Sequence, residues 1–143
     1  MPTDCIPFRA TGYFSDFICD YLDQKPELKP LYNRFPTLEN FKAQIEEKSK
    51  SGHLEPFDSA QDKLRRKVLS ETLTNQYTTI EASELTLNNI DSLKFENTFT
   101  ITTGHQLNLF TGPLYFLYKI ISTINLTEQL KSEYPDYNFV PVY

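Results

Sequence analysis

The hydrophobic pattern near the end of the chain predicts two strands joined by one long helix. Thr98 to Thr102 (TFTIT) is short, β-branched and aromatic, which is typical of a buried strand, and Phe139 to Tyr143 (FVPVY) is apolar, as strands inside parallel sheets are. Between them, Leu114 to about Lys131 contains no helix breaker and little polar surface in its first half, so we expect a helix that is buried on most sides. The predicted unit is strand, polar loop, helix, strand.

The loop between the first strand and the helix is rich in glycine and polar side chains. A right-handed crossover places such a loop at the carboxyl end of the strand and beside the helix N-terminus. Unpaired N–H groups and the helix dipole favour an anion there, so the loop is a candidate ligand site. Pro113 suits the first helical position, and Thr111 or Gly112 can cap the helix. A plain strand-to-helix connection explains the spacing equally well, because Gly104 and Gly112 match no standard phosphate-binding motif.

The pattern of apolar residues in residues 1–97 predicts several helices separated by short connections. Lys25-Pro26 and Lys29-Pro30 end the first helix, and Leu31 to Phe35 is a short turn of helix or an extended link. The predicted helices are Phe14 to Leu22, Leu38 to about Lys50 with Thr37 as N-cap, Asp58 or Ser59 to about Tyr77, and Ala82 to Lys94. Apolar stripes follow the first and third of these helices, at Phe14, Phe17, Ile18 and Tyr21 and at Leu64, Val68, Leu69, Leu73 and Tyr77.

The domain prediction follows from these elements. Residues 1–97 form a helical region that packs on the core, and residues 98–143 form the first β-α-β unit of a parallel sheet. Two strands cannot cover both faces and both edges of such a sheet, so the α/β domain is incomplete.

Composition and charge exclude several classes of protein. The chain has 143 residues, of which 39% are hydrophobic and 14% aromatic, and this is enough for one domain with a core. A formal net charge of −5 argues against nucleic-acid binding through phosphate neutralisation. The longest apolar run is interrupted by Lys119 and is too short to span a bilayer. The basic run, which we interpret as the solvated face of a helix, consists of Lys63, Arg65, Arg66 and Lys67.

The two cysteines, Cys5 and Cys19, are interpreted as ordinary, partly buried thiols. They make no disulfide framework, and neither has a neighbouring histidine that would indicate a nucleophile or a metal site. The N-terminus lacks the apolar run of a secretory signal. We therefore expect a cytosolic protein without a metal centre.

The run TTGHQLNLFTGPLYFLYKI, followed by YPDYNFVPVY, resembles the N-terminal region of the BshC family, the cysteine-adding enzymes of bacillithiol biosynthesis. That family carries the signature TG-[HQ]-Q-x-x-LFTGPLY-x-x-YK followed by a VPV strand. The upstream segments FSDFICDYL, LKPLYNRFPTLENF and Asn75-Gln76-Tyr77 also fit its opening helices. The resemblance implies a cytosolic bacterial ligase with a Rossmann-like core, similar to the nucleotidyl-transferring domain of class I aminoacyl-tRNA synthetases, and a later helical or coiled-coil part.

The reaction implied by this resemblance joins the carboxyl group of L-cysteine to the free amine of glucosaminyl malate. ATP or another nucleotide is the candidate cosubstrate that activates the carboxyl group. The implied partners are these small molecules, with a homo-oligomer as an open option.

His105 is the candidate catalytic residue under this resemblance, because an imidazole can donate to an oxyanion or accept the amine proton. The family accepts Gln at this position, so ligand orientation is the preferred role. Lys119 is assigned to packing and charge balance. The implied substrate-binding residues are Thr103, Gly104, Gln106, Asn108, Thr111 and Gly112.

The end of the chain departs from the family pattern, in which a Trp and an acidic, His-containing segment of the EDHDF type follow the VPVY strand. We therefore expect the N-terminal part of a longer ligase, without ligase activity in isolation. The alternative is a non-catalytic binding or assembly module that uses the exposed sheet edge and the N-terminal aromatic helices. A general nucleotide-binding domain ranks third, because the glycine spacing is weak.

Overall fold

The fold consists of a series of helices followed by a small parallel sheet. The computed structural model describes residues 5–50, 59–106 and 112–143. In chain order the helices are α1 (Asp16–Leu22), α2 (Leu38–Lys50), α3 (Ser59–Tyr77), α4 (Glu84–Ser92) and α5 (Leu114–Glu133), the strands are β1 (Thr98–Thr102) and β2 (Asn138–Val142), and 3-10 helices cover Phe8–Thr11 and Pro26–Leu31. Internal contacts divide the chain into two compact units, Met1–Ala43 and Gln44–Tyr143. The division predicted after residue 97, and the packing of the helical region on the core, stay predictions.

β1 and β2 pair in parallel, and α5 connects them and packs against both. Thr98 lies opposite Asn138, and Thr102 lies opposite Val142. In the core of this unit the side chains of Leu130 and Phe139 are fully buried. β1 has its predicted bounds, whereas β2 begins one residue before the predicted start. The predicted order of strand, loop, helix and strand is therefore confirmed, and these elements form a two-stranded parallel α/β unit.

The helix α5 buries a narrow stripe rather than most of its surface. Its buried residues are Thr123, Thr127 and Leu130, which follow one another at helical spacing. Leu114 and Tyr118, in contrast, are 63% and 61% exposed. The expectation of a helix buried on most sides is wrong, because two strands spaced about 4.8 Å apart cover only one stripe of a helix about 10 Å wide.

The start of α5 also differs from the prediction. Pro113 is the N-cap, with an extended backbone at φ −71° and ψ 155°, and the helix begins at Leu114. Gly112 precedes it with a φ of 63°, in the left-handed region that glycine adopts without steric cost. Pro113 at the first helical position and Gly112 as the cap are therefore both wrong, because the ring of proline also allows the extended cap and the glycine turns the chain. Thr111, the other predicted cap, lies outside the described residues.

Capping side chains make two of the helices shorter than their periodicity predicts. Ser15 caps α1 by accepting a hydrogen bond from the N–H of Ile18, so that helix starts later than expected. Ser83 caps α4 in the same way by accepting from the N–H of Thr86 at 3.2 Å. The segment Pro26–Leu31, predicted only as the end of the first helix, forms a 3-10 helix with a proline in its first turn. The bounds of α2 and α3 agree with the prediction.

The predicted apolar stripe of α3 is covered only in part: Leu73 and Tyr77 are half-buried and share a helical face with the buried Ser70. Leu64, Val68 and Leu69 of that stripe are 59%, 51% and 49% exposed. Ser70 is buried instead, and its hydroxyl donates to the carbonyl oxygen of Ile90 in α4 at 3.0 Å. Periodicity identifies the residues that share a face, but it does not say which face an adjacent helix covers.

Arg66 connects α3 to the segment between α4 and β1. Its Nη1 donates to the carbonyl oxygens of Leu93, Phe95 and Thr98 at 3.3, 3.0 and 3.1 Å. The interpretation of the basic run as a solvated face is therefore wrong for Arg66, whose guanidinium holds the carbonyl groups that follow α4. The side chains of Lys63, Arg65 and Lys67 are 64%, 57% and 67% exposed, as predicted.

In the unit Met1–Ala43, Arg9 joins the first 3-10 helix to α1. Its guanidinium contacts the carboxylates of Asp16, Asp20 and Asp23 at 3.1, 2.8 and 3.1 Å. Lys25 adds a contact to Asp20 at 2.8 Å. These cations, Lys25 first and then Arg9, hold the pKa of Asp20 below its ordinary value.

The cysteines and the aromatic stripe of α1 lie in the same unit. Cys19 is buried and Cys5 is exposed, and both are free thiols. In the stripe, Phe17 and Ile18 are 55% and 41% exposed. The packing of this stripe against the sheet stays a prediction.

Candidate functional site

The segment after β1 continues alongside the end of β2. The N–H of Thr103 donates to the carbonyl oxygen of Val142 at 2.9 Å, which extends the strand pairing by one residue. Because the strands are parallel, Gly104, His105 and Gln106 follow at the carboxyl end of both. Contacts with two side chains of α5 place the start of that helix at the same end. The structure thus brings four of the predicted site residues together at one edge of the sheet.

The imidazole of His105 is held through both of its ring nitrogens. Nδ1 lies 2.9 Å from the carbonyl oxygen of Gln106. A carbonyl oxygen only accepts hydrogen bonds, so this contact requires a proton on Nδ1. In the neutral ring Nε2 is then an acceptor, and the hydroxyl of Tyr115 donates to it. The two rings also meet edge to face, with centroids 4.9 Å apart.

Two further side chains fix the backbone of the turn. The hydroxyl of Tyr143 donates to the carbonyl oxygen of His105 at 3.2 Å. The ammonium of Lys119 donates to the carbonyl oxygen of Gly104 at 3.4 Å and lies 5.6 Å from the centroid of the Tyr115 ring. Side chains from α5 and from the end of β2 therefore hold the turn in place, and Lys119 contributes a positive charge to the site.

Tyr115 and Tyr143 are site residues that the sequence reasoning missed. Tyr115 and Lys119 are four residues apart in the first two turns of α5 and so share one face, which was a signal that the pair would reach the same loop. Tyr143 follows the last residue of β2, and parallel topology places it at the same edge as the turn after β1. Lys119 was assigned to packing and charge balance, whereas its observed contact is with the backbone of the turn.

The remaining predicted residues occupy different positions around the turn. Gly104 and Gln106 are exposed, and a Cβ atom on Gly104 would meet no atom of the described residues within 4 Å. The backbone there is consequently open to a ligand. Gly112 turns the chain before α5. Asn108 and Thr111 lie outside the described residues.

An apolar cleft of about 170 Å³ lies beside the turn, between α5 and β2. Thr103, Ile120, Ile124 and Val142 are among its walls, and Tyr143 borders both the cleft and the turn. Its volume is below the roughly 300 Å³ at which small-molecule sites usually begin. The cleft formed by the described residues is therefore smaller than an ordinary small-molecule site.

The electrostatics of this edge favour an anion. The first turn of α5 contains no acidic residue, and the N-cap Pro113 makes no side-chain hydrogen bond. The positive end of the helix dipole is thus not offset by a capping carboxylate, and Lys119 adds its charge in the next turn. Among the described residues, no group of three His, Cys, Asp or Glu side chains could hold a metal ion. The arrangement suits a carboxylate or phosphate ligand.

A comparison with protein-family models identifies the family of the chain over its whole length. Residues 1–143 match the model of "Bacillithiol biosynthesis BshC, N-terminal Rossmann-like domain". The chain belongs to the BshC family. The predicted resemblance is thereby confirmed, and the Rossmann-like description agrees with the parallel pairing of β1 and β2.

Curated relatives of the family agree with this assignment. A protein of Flavobacterium psychrophilum is 62% identical and one of Flavobacterium johnsoniae is 64% identical, each over 143 residues and the whole of this chain, and both are named "Putative cysteine ligase BshC". A Bacillus thuringiensis protein of the same name is 30% identical over 126 residues, or 88% of this chain. The chain spans 25% of the length of the two Flavobacterium relatives and 21% of the Bacillus one. No solved structure matches the chain significantly.

Within the described residues, none of the helices combines the length and the apolar character that a membrane crossing needs. The cytosolic location stays a prediction.

Proposed function

We propose that this chain forms the first part of the substrate site of a cytosolic ligase that joins L-cysteine to glucosaminyl malate. The observation that carries the proposal is the match of all 143 residues to the N-terminal domain of the BshC family. Relatives in that family are named as cysteine ligases. The anion-favouring edge at the end of β1 and β2 supports the proposal, because both substrates carry carboxylates.

The chemistry requires an activated carboxyl group and an amine that loses a proton. The amine nitrogen attacks the carboxyl carbon of cysteine, the activating group leaves with one carboxyl oxygen, and the amine proton passes to a base or to water. ATP or another nucleotide is the proposed source of the activating group. Hydrogen-bond donors near the reacting carbon stabilise the oxyanion that forms there. The N–H groups at the start of α5 and the side-chain amide of Gln106 are the proposed donors, and Asn108 and Thr111 are further proposed contacts.

His105 is proposed chiefly to orient the ligand. Its ring is clamped by the carbonyl oxygen of Gln106 on one side and the hydroxyl of Tyr115 on the other. A clamped ring holds a fixed position and direction, which aligns reacting groups before the chemical step. Proton transfer by His105 would require Tyr115 to turn away from Nε2 first.

The test of this function is product formation from purified components. The 143-residue chain and the longest gene product that contains it are each incubated with L-cysteine, glucosaminyl malate and one nucleotide at a time, and the amide is detected by mass spectrometry. We expect product only from the longer protein, since the chain spans 25% of the length of the two Flavobacterium relatives. Product from the 143-residue chain alone would contradict the proposed inactivity of this part. Absence of product from both proteins with every nucleotide would contradict the ligase function.

A second candidate is a non-catalytic assembly module, and one observation favours it. Leu114, Leu117, Tyr118 and Ile121 form an exposed apolar stripe along the first half of α5, each at least 41% exposed. Apolar stripes of this kind are typical of surfaces that another chain covers. Sedimentation at increasing protein concentration separates the two functions: an assembly module forms oligomers, and its melting temperature does not respond to malate-containing sugars.

A further inference from the structure

We propose that Tyr115 is a positioning residue that fixes the ring of His105 by donating to Nε2 of the neutral tautomer that carries its proton on Nδ1. The proposal rests on the proposed function for its role in the reaction, but the tautomer itself is a property of the folded chain. Tyr115 was absent from the predicted site, and it enters through two contacts: the hydrogen bond of its hydroxyl with Nε2, and the edge-to-face packing of its ring on the imidazole.

The direction of each hydrogen bond follows from the chemistry of the groups. The carbonyl oxygen of Gln106 can only accept, so Nδ1 donates to it across 2.9 Å. With Nδ1 protonated in the neutral ring, Nε2 has a lone pair and the Tyr115 hydroxyl donates to that lone pair. The opposite tautomer would place the lone pair of Nδ1 against the carbonyl oxygen and lose that hydrogen bond. The carbonyl oxygen of Gln106 therefore selects the tautomer, and the Tyr115 hydroxyl is compatible with it as a donor.

The position of Tyr115 is itself fixed by neighbouring groups. It is the second residue of α5, so its backbone is held by the first helical turn. The ammonium of Lys119, one turn later, lies 5.6 Å from the centre of its ring, and the same ammonium donates to the carbonyl oxygen of Gly104. Tyr143 holds the backbone of His105 from the side of β2. The phenol is thus attached to the first turn of α5, and the backbone of His105 is hydrogen-bonded to the side chain that follows β2.

In this arrangement the Tyr115 hydroxyl is a donor to His105 and an acceptor towards a substrate. The phenol oxygen donates its hydrogen to Nε2 and keeps lone pairs for a donor from the solvent side, where Tyr115 is 46% exposed. A substrate amine or hydroxyl that reaches the phenol oxygen can donate to these lone pairs. Gln106 therefore selects the tautomer of His105, and Tyr115 fixes the direction of the ring by donating to the nitrogen that this tautomer leaves unprotonated.

The test is nitrogen NMR of the histidine rings at a pH where both histidines are neutral. The chain has two histidines, so a His53→Gln variant assigns the remaining signal to His105. Wild-type protein is expected to show His105 protonated on Nδ1, with an Nε2 resonance shifted by an accepted hydrogen bond. In Tyr115→Phe the Nε2 resonance is expected to move towards that of an unbonded nitrogen. Tyr118→Phe, the same change three residues later on a side chain that is 61% exposed, should leave it unchanged.

Two results would overturn the proposal. One is a wild-type His105 protonated on Nε2, which is measured without any variant. The other is a Tyr115→Phe spectrum identical to that of Tyr118→Phe while the amide signals of β1 and β2 show an intact sheet. Neither measurement needs a substrate, so a failed ligase assay leaves the tautomer result standing and the two failures are distinguishable. In a gene product that shows ligase activity, Tyr115→Phe is expected to lower kcat by about tenfold with little change in KM, the scale of one hydrogen bond.

Discussion

Thr103 and Val142 are joined by a backbone hydrogen bond of 2.9 Å that continues the pairing of β1 and β2 past the last residue of β1. Because of this bond, the turn that follows Thr103 and the residue that follows Val142 lie side by side. The hydroxyl of Tyr143 can therefore reach the carbonyl oxygen of His105. The candidate site is continuous with the sheet, so its geometry depends on the packing that holds the sheet together.

Leu130→Ala should destabilise the unit Gln44–Tyr143 more than an equal truncation at the start of the same helix. Leu130 is fully buried against the sheet, and removing a buried leucine side chain costs about 2–5 kcal/mol. Leu114→Ala is the matched control, because Leu114 is 63% exposed and its truncation should cost less than about 1 kcal/mol. Urea unfolding of the two variants measures the difference. Equal losses would contradict the assignment of the buried stripe to the second half of α5.

Arg66→Met should weaken the connection between α3 and the start of β1. The substitution keeps most of the side-chain length but removes the donor that serves the carbonyl oxygens of Leu93, Phe95 and Thr98. Hydrogen bonds from a charged group contribute about 1.5–3 kcal/mol when buried, and partial exposure of these carbonyls places the expected loss near the lower value. Arg65→Met is the control, since its side chain is 57% exposed and its carboxylate partner lies 3.9 Å away.

The measurement for this pair is the free energy of unfolding of both variants under identical conditions. Arg65→Met should stay within about 0.5 kcal/mol of the wild type. A loss in Arg65→Met as large as that in Arg66→Met would show that general charge, rather than the three carbonyl contacts, explains the effect.

The sequence predicts the backbone of this chain better than the directions of its side chains. The bounds of β1, α2 and α3 follow from periodicity and residue type, because strand and helix preferences are local properties. Arg66 shows where local reasoning ends: its partners lie 27 to 32 residues away, and nothing in the basic run itself indicates them. Ser70 is a second example, since its hydroxyl donates to the carbonyl oxygen of Ile90, 20 residues away, and the residue type alone does not indicate that contact.

In the candidate site, too, the backbone was predicted better than the side-chain contacts. The turn with His105 was predictable, because strand, loop and helix place it at the carboxyl edge from topology alone. The side chains that contact the turn were not predicted, because Tyr115 and Tyr143 resemble ordinary aromatic residues of an apolar helix and strand. Their hydroxyl contacts depend on the three-dimensional register of β2 and on the point where α5 begins.

Asp20→Asn should remove an acid-sensitive contribution to the stability of the unit Met1–Ala43. Lys25 and then Arg9 lower the pKa of Asp20 from its ordinary value of 3.8. A lowered folded-state pKa means that the contribution is complete above the unfolded-state value and is lost as the pH falls through the folded-state value, so it declines below pH 3.8. The stability difference between wild type and Asp20→Asn should therefore shrink as the pH is lowered from about 5 to about 2.

Acid titration followed by circular dichroism measures this difference, with Asp16→Asn as the control. Asp16 contacts the same guanidinium of Arg9, but its side chain is 94% exposed, so its replacement should change the acid dependence less. A wild type and an Asp20→Asn variant that differ equally at all pH values would contradict the assignment of the ion pairs as the cause.

The most direct measurement of the central claim is the rate of amide formation from L-cysteine and glucosaminyl malate by the longest gene product that contains this chain, with His105→Ala compared with His53→Ala. We expect product from the wild type, a loss of at least about tenfold in kcat/KM for His105→Ala, and little change for His53→Ala. Failure to form the amide with any nucleotide, or equal rates for His105→Ala and the wild type, would contradict the account.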